Sequence, residues 1–448
     1  MGRRRSRKAR LPAEPVDVAI EDLSHEGRGI ARIEGKTVFV DNALPGEQVR
    51  MRYTRRRRRF DEGRAEEILA ASPQRVAPPC THAHICGGCS LQHLDPARQI
   101  ERKQAILAEQ FEHFGGLAPQ RWLEPLVGPL TGYRGKARLG VKYVDGRGTT
   151  LVGFREKGSS YIADIERCEV LVPEVGASLM ALRELINGLE CRRRLPQIEV
   201  AAGDDALALV FRHLDPISEQ DRQALIAFCR ERGWHCYLQP GNEETVHRVW
   251  PEPDGPERLH YVLPEAELDM AFHPCDFTQV NREINRNMVA LALELLAPEP
   301  EHRVLDLFCG LGNFSLPVAR RAAWVVGVEG GAAMVERARE NARRNGLDNT
   351  SFHAADLSRD PEGAPWAREG YDRVLLDPPR SGAAEVVPWL SGTGARKVVY
   401  VSCSPATLAR DAGEMARHGY ALRAAGVMDM FPHTRHVESI ALFEAEQW

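Results

Sequence analysis

The sequence predicts a multidomain α/β protein: an OB-like β-barrel at the N-terminus, an α+β central domain, and a Rossmann-like doubly wound sheet at the C-terminus. Three observations carry this. Residues 15–70 are short β-runs broken by glycine turns, such as "GIARIEG" and "KTVFVDNALPGEQVRMRYT". Residues 130–260 mix strand-like runs with two helical stretches near 174–190 and 217–233. From about 266 onward, all-apolar strands alternate with helices, the pattern of a parallel sheet. The chain of 448 residues has room for about three domains. The expected partition is a basic disordered tail over 1–11, a barrel over 12–72, a central domain over 73–265 and the doubly wound domain over 266–448.

Charge is unevenly spread. Residues 1–60 hold 16 Lys or Arg against 8 Asp or Glu, while the whole chain has a net charge of −4. Arginine dominates, and guanidinium groups pair well with phosphate, so "RYTRRRRRF" (52–60) is expected to meet nucleic acid. No run of about 18 apolar residues is present, so no membrane partner is expected. The basic start, "MGRRRSRKAR", lacks the apolar core of a signal peptide, which points to the cytoplasm. A monomer is expected.

Within the central part, "KARLGVKYV", "LVGFREKG", "YIADIERCEVLV", "QIEVAA" and "ALALVFRH" read as strands, and "PEPDGPE" (251–257) marks the next break. "DPARQIERKQAILAEQFEHFGG" (95–116) reads as a capped helix, and another is expected at 281–297.

The doubly wound part carries a nucleotide-pocket pattern. "VLDLFCGLGNF" (304–314) joins a buried strand to a helix through Gly310-x-Gly312, where a ligand can approach the backbone closely. Glu329 ends the next strand, where a carboxylate can accept bonds from ribose hydroxyls. Asp356 ends the third strand and can bond an adenine amino group; Asp377 opens "DPPR" after the fourth. The turn lacks the third glycine of a dinucleotide fingerprint, which disfavours a pyrophosphate ligand. This order of features resembles a class I S-adenosyl-L-methionine (SAM) methyltransferase.

"VVYVSCSPATLARD" (398–411) places Cys403 where a buried strand runs out and a helix begins, with Ser404 as N-cap and Pro405 as first helical residue. A helix N-terminus is expected to favour thiolate there. Glu438, in "FPHTRHVESIALFE", starts a final strand. A thiolate and a base are what methylation of uracil C5 requires. Addition of sulfur to C6 makes C5 nucleophilic, and the C5 proton must leave afterwards so that sulfur can be expelled.

"DLFCGLGNFSLP", "DPPRSG", "YVSCSPATLARD" and "FPHTRHVES" together resemble the RNA 5-methyluridine (uracil-C5) methyltransferase family. The resemblance implies Cys403 as nucleophile and Glu438 as proton-abstracting base. It also implies SAM binding by Gln279 in "HPCDFTQVN", and by Phe308, Asn313, Glu329, Asp356 and Asp377. Phe277 is a candidate stacking partner for the target base. Cytosine-C5 enzymes carry a further cysteine where this chain has DPPRSG.

"PPCTHAHICGGCSLQHL" (78–94) groups Cys80, Cys86 and Cys89, a metal- or cluster-ligand set. Cys168 is the best fourth ligand, with Cys191 behind it. Spacing leaves zinc and a [4Fe–4S] cluster both open, and His82, His84 and His93 keep zinc in play. The family resemblance implies the cluster, held by Cys80, Cys86, Cys89 and Cys168. "EDLSHEGRGIARIEGKTVFVDNALPGEQV" (21–49) resembles a TRAM domain, an RNA-binding barrel. That domain together with the cluster resembles the branch of the family acting on 23S ribosomal RNA, the expected partner. Transfer RNA or dual-site uracil methylation is the alternative. A non-enzymatic RNA assembly factor and a radical-SAM methylthiotransferase are further ones; the latter needs a C-x3-C-x2-C spacing this chain lacks.

Overall fold

The computed structural model describes residues 11–12, 14–252, 258–359, 361 and 363–446. The expected disordered tail, but for its last residue, and most of the 251–257 break lie outside the described residues. The chain divides into two compact units, Met1–Glu101 with His433–Arg435, and Arg102–Pro432 with His436–Trp448. No helix among the described residues is long and apolar enough to cross a membrane.

The first unit is built on six strands: β1 (Val16–Ala19), β2 (Asp22–Leu23), β3 (Gly29–Ile33), β4 (Lys36–Asp41), β5 (Gln48–Arg56) and β6 (Phe60–Ala70), in the order β1-β5-β6-β4-β3-β2. Polarity alternates along β5: Val49, Met51 and Tyr53 are buried, while Gln48, Arg52 and Thr54 are exposed. Those inward residues pack with Val18, Ala31, Val38, Val40 and Ala65 into one core. Three register shifts between β5 and β6 let the sheet curl. The arginine run forms the β5–β6 turn. Arg55 and Arg57 pair with Glu62, and Arg56 with Asp61, so the run is partly neutralised where it stands. Arg58 and Arg59 are exposed and make no ion pair among the described residues.

The first strand of the second unit is the short β7 (Arg121–Trp122). Its middle sheet comprises β8 (Lys136–Val144), β9 (Thr149–Gly153), β10 (Gln197–Ala202), β11 (Leu207–Arg212), β12 (His235–Gln239) and β13 (His247–Trp250), ordered β13-β12-β11-β10-β8-β9. Helices Leu179–Gly188 and Glu219–Glu231 accompany it, the second capped by the Ser218 hydroxyl accepting from the Asp221 N–H. The expected strand at "YIADIERCEVLV" does not form. Its polar middle, "DIERCE", breaks the apolar alternation a strand needs, and Asp164 is engaged by Arg147 and Arg183 instead. Single bridges, Arg155 to Ile162 and Arg134 to Leu171, and scattered backbone bonds such as Gly132 N–H to the Glu169 carbonyl and Cys168 N–H to the Gly176 carbonyl tie the segment down.

After a hairpin, β14 (Leu259–Leu263) and β15 (Leu268–Phe272), come β16 (Arg303–Leu307), β17 (Trp324–Glu329), β18 (Thr350–Ala354), β19 (Arg373–Leu376), β20 (Lys397–Ser402), β21 (Tyr420–Met428) and β22 (Glu438–Ala445). They form an eight-stranded sheet, β18-β17-β16-β19-β20-β22-β21-β7. The first five are parallel; β22 runs antiparallel between β20 and β21. Strand order reverses at β16, so the crevice lies at the carboxyl ends of β16 and β19. β20 is buried from Val398 to Ser402, as a central strand must be.

One buried carboxylate anchors the segment beyond β20. The Tyr400 hydroxyl donates to Asp411 Oδ2 at 2.7 Å, and the Ala383 N–H donates to the same oxygen at 2.7 Å. Helix Pro405–Arg417, the last turn of β20 and the DPPRSG loop therefore share one carboxylate. Gly382 sits in that joint at φ 82°, and a Cβ there would come within 2.5 Å of Asp411 Oδ2. Replacing Asp411 by alanine strands two buried donors, which should cost about 1–3 kcal/mol each in desolvation. Thermal melting should therefore show Asp411→Ala clearly less stable than Tyr400→Phe, which removes one donor and leaves the Ala383 bond intact. Equal melting temperatures would contradict the shared role.

Candidate active site

The sheet topology gathers the chemistry at one edge. Phe308 follows β16, Glu329 ends β17, Asp356 lies just beyond β18, Asp377 follows β19 and Cys403 follows β20. Because β22 is antiparallel to β20, its first residue, Glu438, starts from that same edge. The ladder ends with Ser402 opposite Ser439, which leaves Cys403 and Glu438 next to its last pair, and the Glu438 charge acts on the Cys403 thiol.

The edge is rich in carboxylates. Asp306 is 1% exposed; burial pushes it up to about 7, with Ser315 opposing and Asp377 and Glu329 adding to the rise. Its Oδ2 accepts from the Ser315 hydroxyl, while its Oδ1 has no partner among the described residues. Burial and then the Glu329 charge bring Asp377 to about 7. Burial and then Asp377 bring Glu438 to about 8, against the opposing charges of Arg380 and Lys103.

The thiol responds to the same field. Burial, then Glu438, then Asp377 hold Cys403 above its ordinary range, and only Arg380 and its own backbone N–H pull it down. The expectation that the helix N-terminus favours thiolate is thus corrected: nearby acids and burial outweigh it. Ser404 does occupy the N-cap, but its side chain caps nothing; its N–H instead donates to the Ser402 hydroxyl oxygen at 3.1 Å.

The remaining residues fall into two groups. Glu329 braces the glycine turn, accepting from Gly310 N–H at 3.1 Å and Gly331 N–H at 3.0 Å, which leaves further lone pairs for a ligand. Phe308 holds φ 66°, an unusual conformation for a bulky residue, at the start of that turn. Asn313 is locked by a reciprocal amide pair with Asn285, at 2.9 and 3.0 Å, and by the Tyr261 hydroxyl at 2.8 Å. Asp356 is exposed and engaged by Ser358 and Arg359, which lower its pKa. Gln279 stands apart: its loop is tied down by Arg337 to Asp276 at 2.8 Å and by Lys136 to the Pro274 carbonyl, but no side-chain bond links Gln279 itself to the edge among the described residues. Phe277, in the same loop, is 71% exposed and so is not core packing.

Sequence reading overlooked four residues here. Asp306 could have been flagged as a charge inside an otherwise apolar strand. Lys103 lies on the buried stripe of helix Pro96–Gln110, 2% exposed in its side chain, and donates to Asp429 at 2.6 Å and to the Phe431 carbonyl at 3.0 Å. A lysine in an amphipathic helix gives no such signal. Tyr261 and Asn285 lie too far from Asn313 in sequence to have been paired with it.

Comparison with known proteins accords with this geometry. Residues 257–446 match the model for tRNA (Uracil-5-)-methyltransferase, and residues 10–65 match the TRAM domain. A protein of Alcanivorax borkumensis named 23S rRNA (uracil(1939)-C(5))-methyltransferase RlmD is 64% identical over 438 residues, covering 98% of each chain. The chain belongs to the RlmD family. A relative of the same name from Alkalilimnicola ehrlichii is 59% identical over 447 residues, covering 100% of this chain and 99% of its own. In fold, the family member described here is similar to the Pyrococcus abyssi tRNA (uracil-54, C5)-methyltransferase in complex with S-adenosyl-L-homocysteine, with a TM-score of 0.72, 24% identity, and coverage of 96% of this chain and 100% of that one.

The raised carboxyl of Glu438 has a stability consequence. In the unfolded chain it ionises near 4.5, whereas in the folded protein it keeps its proton up to about 8. Between those values the folded state binds more protons, so stability falls as pH rises through that window. The melting temperature of the protein should therefore decline from about pH 5 to about pH 8, and Glu438→Gln should make the decline shallower. Parallel slopes for the two proteins would refute the assignment.

Proposed function

We infer that the chain transfers a methyl group from SAM to C5 of a uridine in 23S ribosomal RNA, at the position its relatives are named for, uracil 1939. The observation that carries this is the placement of Cys403 and Glu438 beside the last pair of the β20–β22 ladder, within reach of each other's charge, at the acid-lined crevice of a methyltransferase fold. The chain's own content supports the coarser steps: a TRAM domain for RNA and a sheet of the methyltransferase type.

Cys403 and Glu438 would divide the reaction. Cys403 adds to C6 of an extruded uracil and leaves electron density at C5. SAM supplies the electrophilic methyl, carried on a cationic sulfonium. Glu438 then accepts the C5 proton, and the thiolate leaves C6 as the ring double bond re-forms. Asp377, Glu329, Phe308, Asn313, Asp356 and Gln279 would hold the methyl donor. The buried Oδ1 of Asp306 and the mutual repulsion of the carboxyls suit a cationic ligand. A positive charge at the edge lowers the pKa of Cys403 and Glu438 together, generating the thiolate and the carboxylate that the two steps require.

We further propose that Cys80, Cys86, Cys89 and Cys168 hold a [4Fe–4S] cluster. Cys80 and Cys89 are buried, and the Gly88 N–H donates to Cys86 Sγ at 3.4 Å, a bond suited to a ligating thiolate. The domain partition at 12–72, 73–265 and 266–448, a monomeric state and residence in the cytoplasm complete the reading.

Cys403→Ala should abolish methylation while sparing SAM and RNA binding, measured by tritium release from C5-labelled uridine RNA and by equilibrium binding. Glu438→Gln should accumulate a protein–RNA adduct stable to denaturing electrophoresis. Turnover by the Cys403 variant would exclude the covalent route, and mass mapping of methylated 23S ribosomal RNA decides the target position.

A further inference from the structure

The face of the middle sheet carries a feature the reaction above does not use. Gln197, Arg212 and Gln239 stand directly opposite one another on the neighbouring strands β10, β11 and β12. None of the three side chains makes a hydrogen bond or ion pair among the described residues: Arg212 is exposed, Gln197 half-buried, and Gln239, although mostly covered, is not among the fully buried polar side chains left without a partner. Their polar atoms therefore stand open to the cleft, with hydrogen-bonding capacity free for a ligand. The row floors a cleft of about 490 Å³, with Arg138 at one side and the loop Gly241–Glu244 at the other. That volume lies in the range of small-ligand sites, about 300–1,000 Å³.

The cleft adjoins the loop that carries Phe277 and Gln279. Lys136, two residues before Arg138 on the same face of β8, donates to the Pro274 carbonyl. The Tyr237 and His273 rings lie 6.0 Å apart, edge to face. Glu199 and Glu243, on the cleft side, add to the burial that lifts the Cys275 thiol to about 12. The polar row and the loop at the crevice are thus neighbours within one unit.

Carboxamides and guanidinium groups are the side chains that read base edges, and guanidinium planes also stack on unpaired bases and pair with phosphate. Glu243 and Glu244 offer acceptors for an exocyclic amino group. We propose that this cleft binds one unstacked nucleotide of the RNA substrate, Gln197 and Gln239 bonding the base edge and Arg212 the phosphate. The proposal rests on the reading of the chain as an RNA methyltransferase and names a second contact, separate from the target uridine.

The test is RNA binding, so that it does not depend on turnover. With a 23S ribosomal RNA transcript as probe, Arg212→Gln should weaken binding about 10-fold and reduce the slope of log Kd against log salt by about 0.7, the share of one single-strand phosphate contact. Gln239→Leu should also weaken binding about 10-fold, with the salt slope unchanged because no charge is lost. Both should leave SAM affinity at the wild-type value. If both variants bind the transcript as the wild type does, the cleft is no RNA site; if Gln239→Leu merely melts higher, the row is a packing defect. A wild-type protein that binds the transcript but never methylates it would instead overturn the enzymatic reading and leave the cleft standing.

Discussion

The proposed chemistry depends on the antiparallel register of β22 against β20. β22 returns along β20 so that the ladder closes on Ser402 opposite Ser439, with Cys403 and Glu438 next to that last pair. A shift of one residue would send Glu438 to the other face of the sheet and leave the thiol without a base. The register is held from both sides. Residues 398–402 are buried along β20, and the Asp411 carboxylate ties Tyr400, the following helix and the DPPRSG loop into one joint. Stability and catalysis draw on the same few bonds there.

The second constraint is electrostatic. Asp306, Glu329, Asp377 and Glu438 crowd the carboxyl ends of the sheet, with Arg380 and Lys103 as the cations that oppose them at Glu438. In the protein alone this crowding, with burial, favours the protonated forms of Asp306, Asp377, Glu438 and Cys403. A neutral ligand would not relieve it, whereas a cationic sulfonium would. On the proposed reaction, the thiol would be activated by the arrival of the cationic methyl donor.

Much of this was legible in the sequence, and for physical reasons. Strands buried on both faces, such as 397–402 and 324–329, leave unbroken apolar runs, so the doubly wound sheet could be read directly. The alternating barrel strands were legible in the same way. Where polarity interrupts burial, the reading failed: residues 161–172 bury several apolar side chains without joining a sheet. At the site, residues that stand at strand ends were found, because their position follows from the strand itself. Those acting through space were not. Lys103, Tyr261 and Asn285 reach their partners only after folding, and the upward shift of Cys403 depends on charges brought in from β19 and β22. The arginine run shows the converse, since its charge was plain but its pairing with Asp61 and Glu62 was not.

On the proposed reaction, Cys403 bonds to the pyrimidine while Glu438 waits for the C5 proton. RNA carrying 5-fluorouridine tests it most directly, because fluorine at C5 leaves no proton to remove once the methyl is in place. Incubation with this RNA and SAM should give a stable one-to-one protein–RNA complex whose digest carries the methylated fluoropyrimidine on the Cys403 peptide. Release of methylated RNA without an adduct, or an adduct on another cysteine such as Cys309, would contradict it.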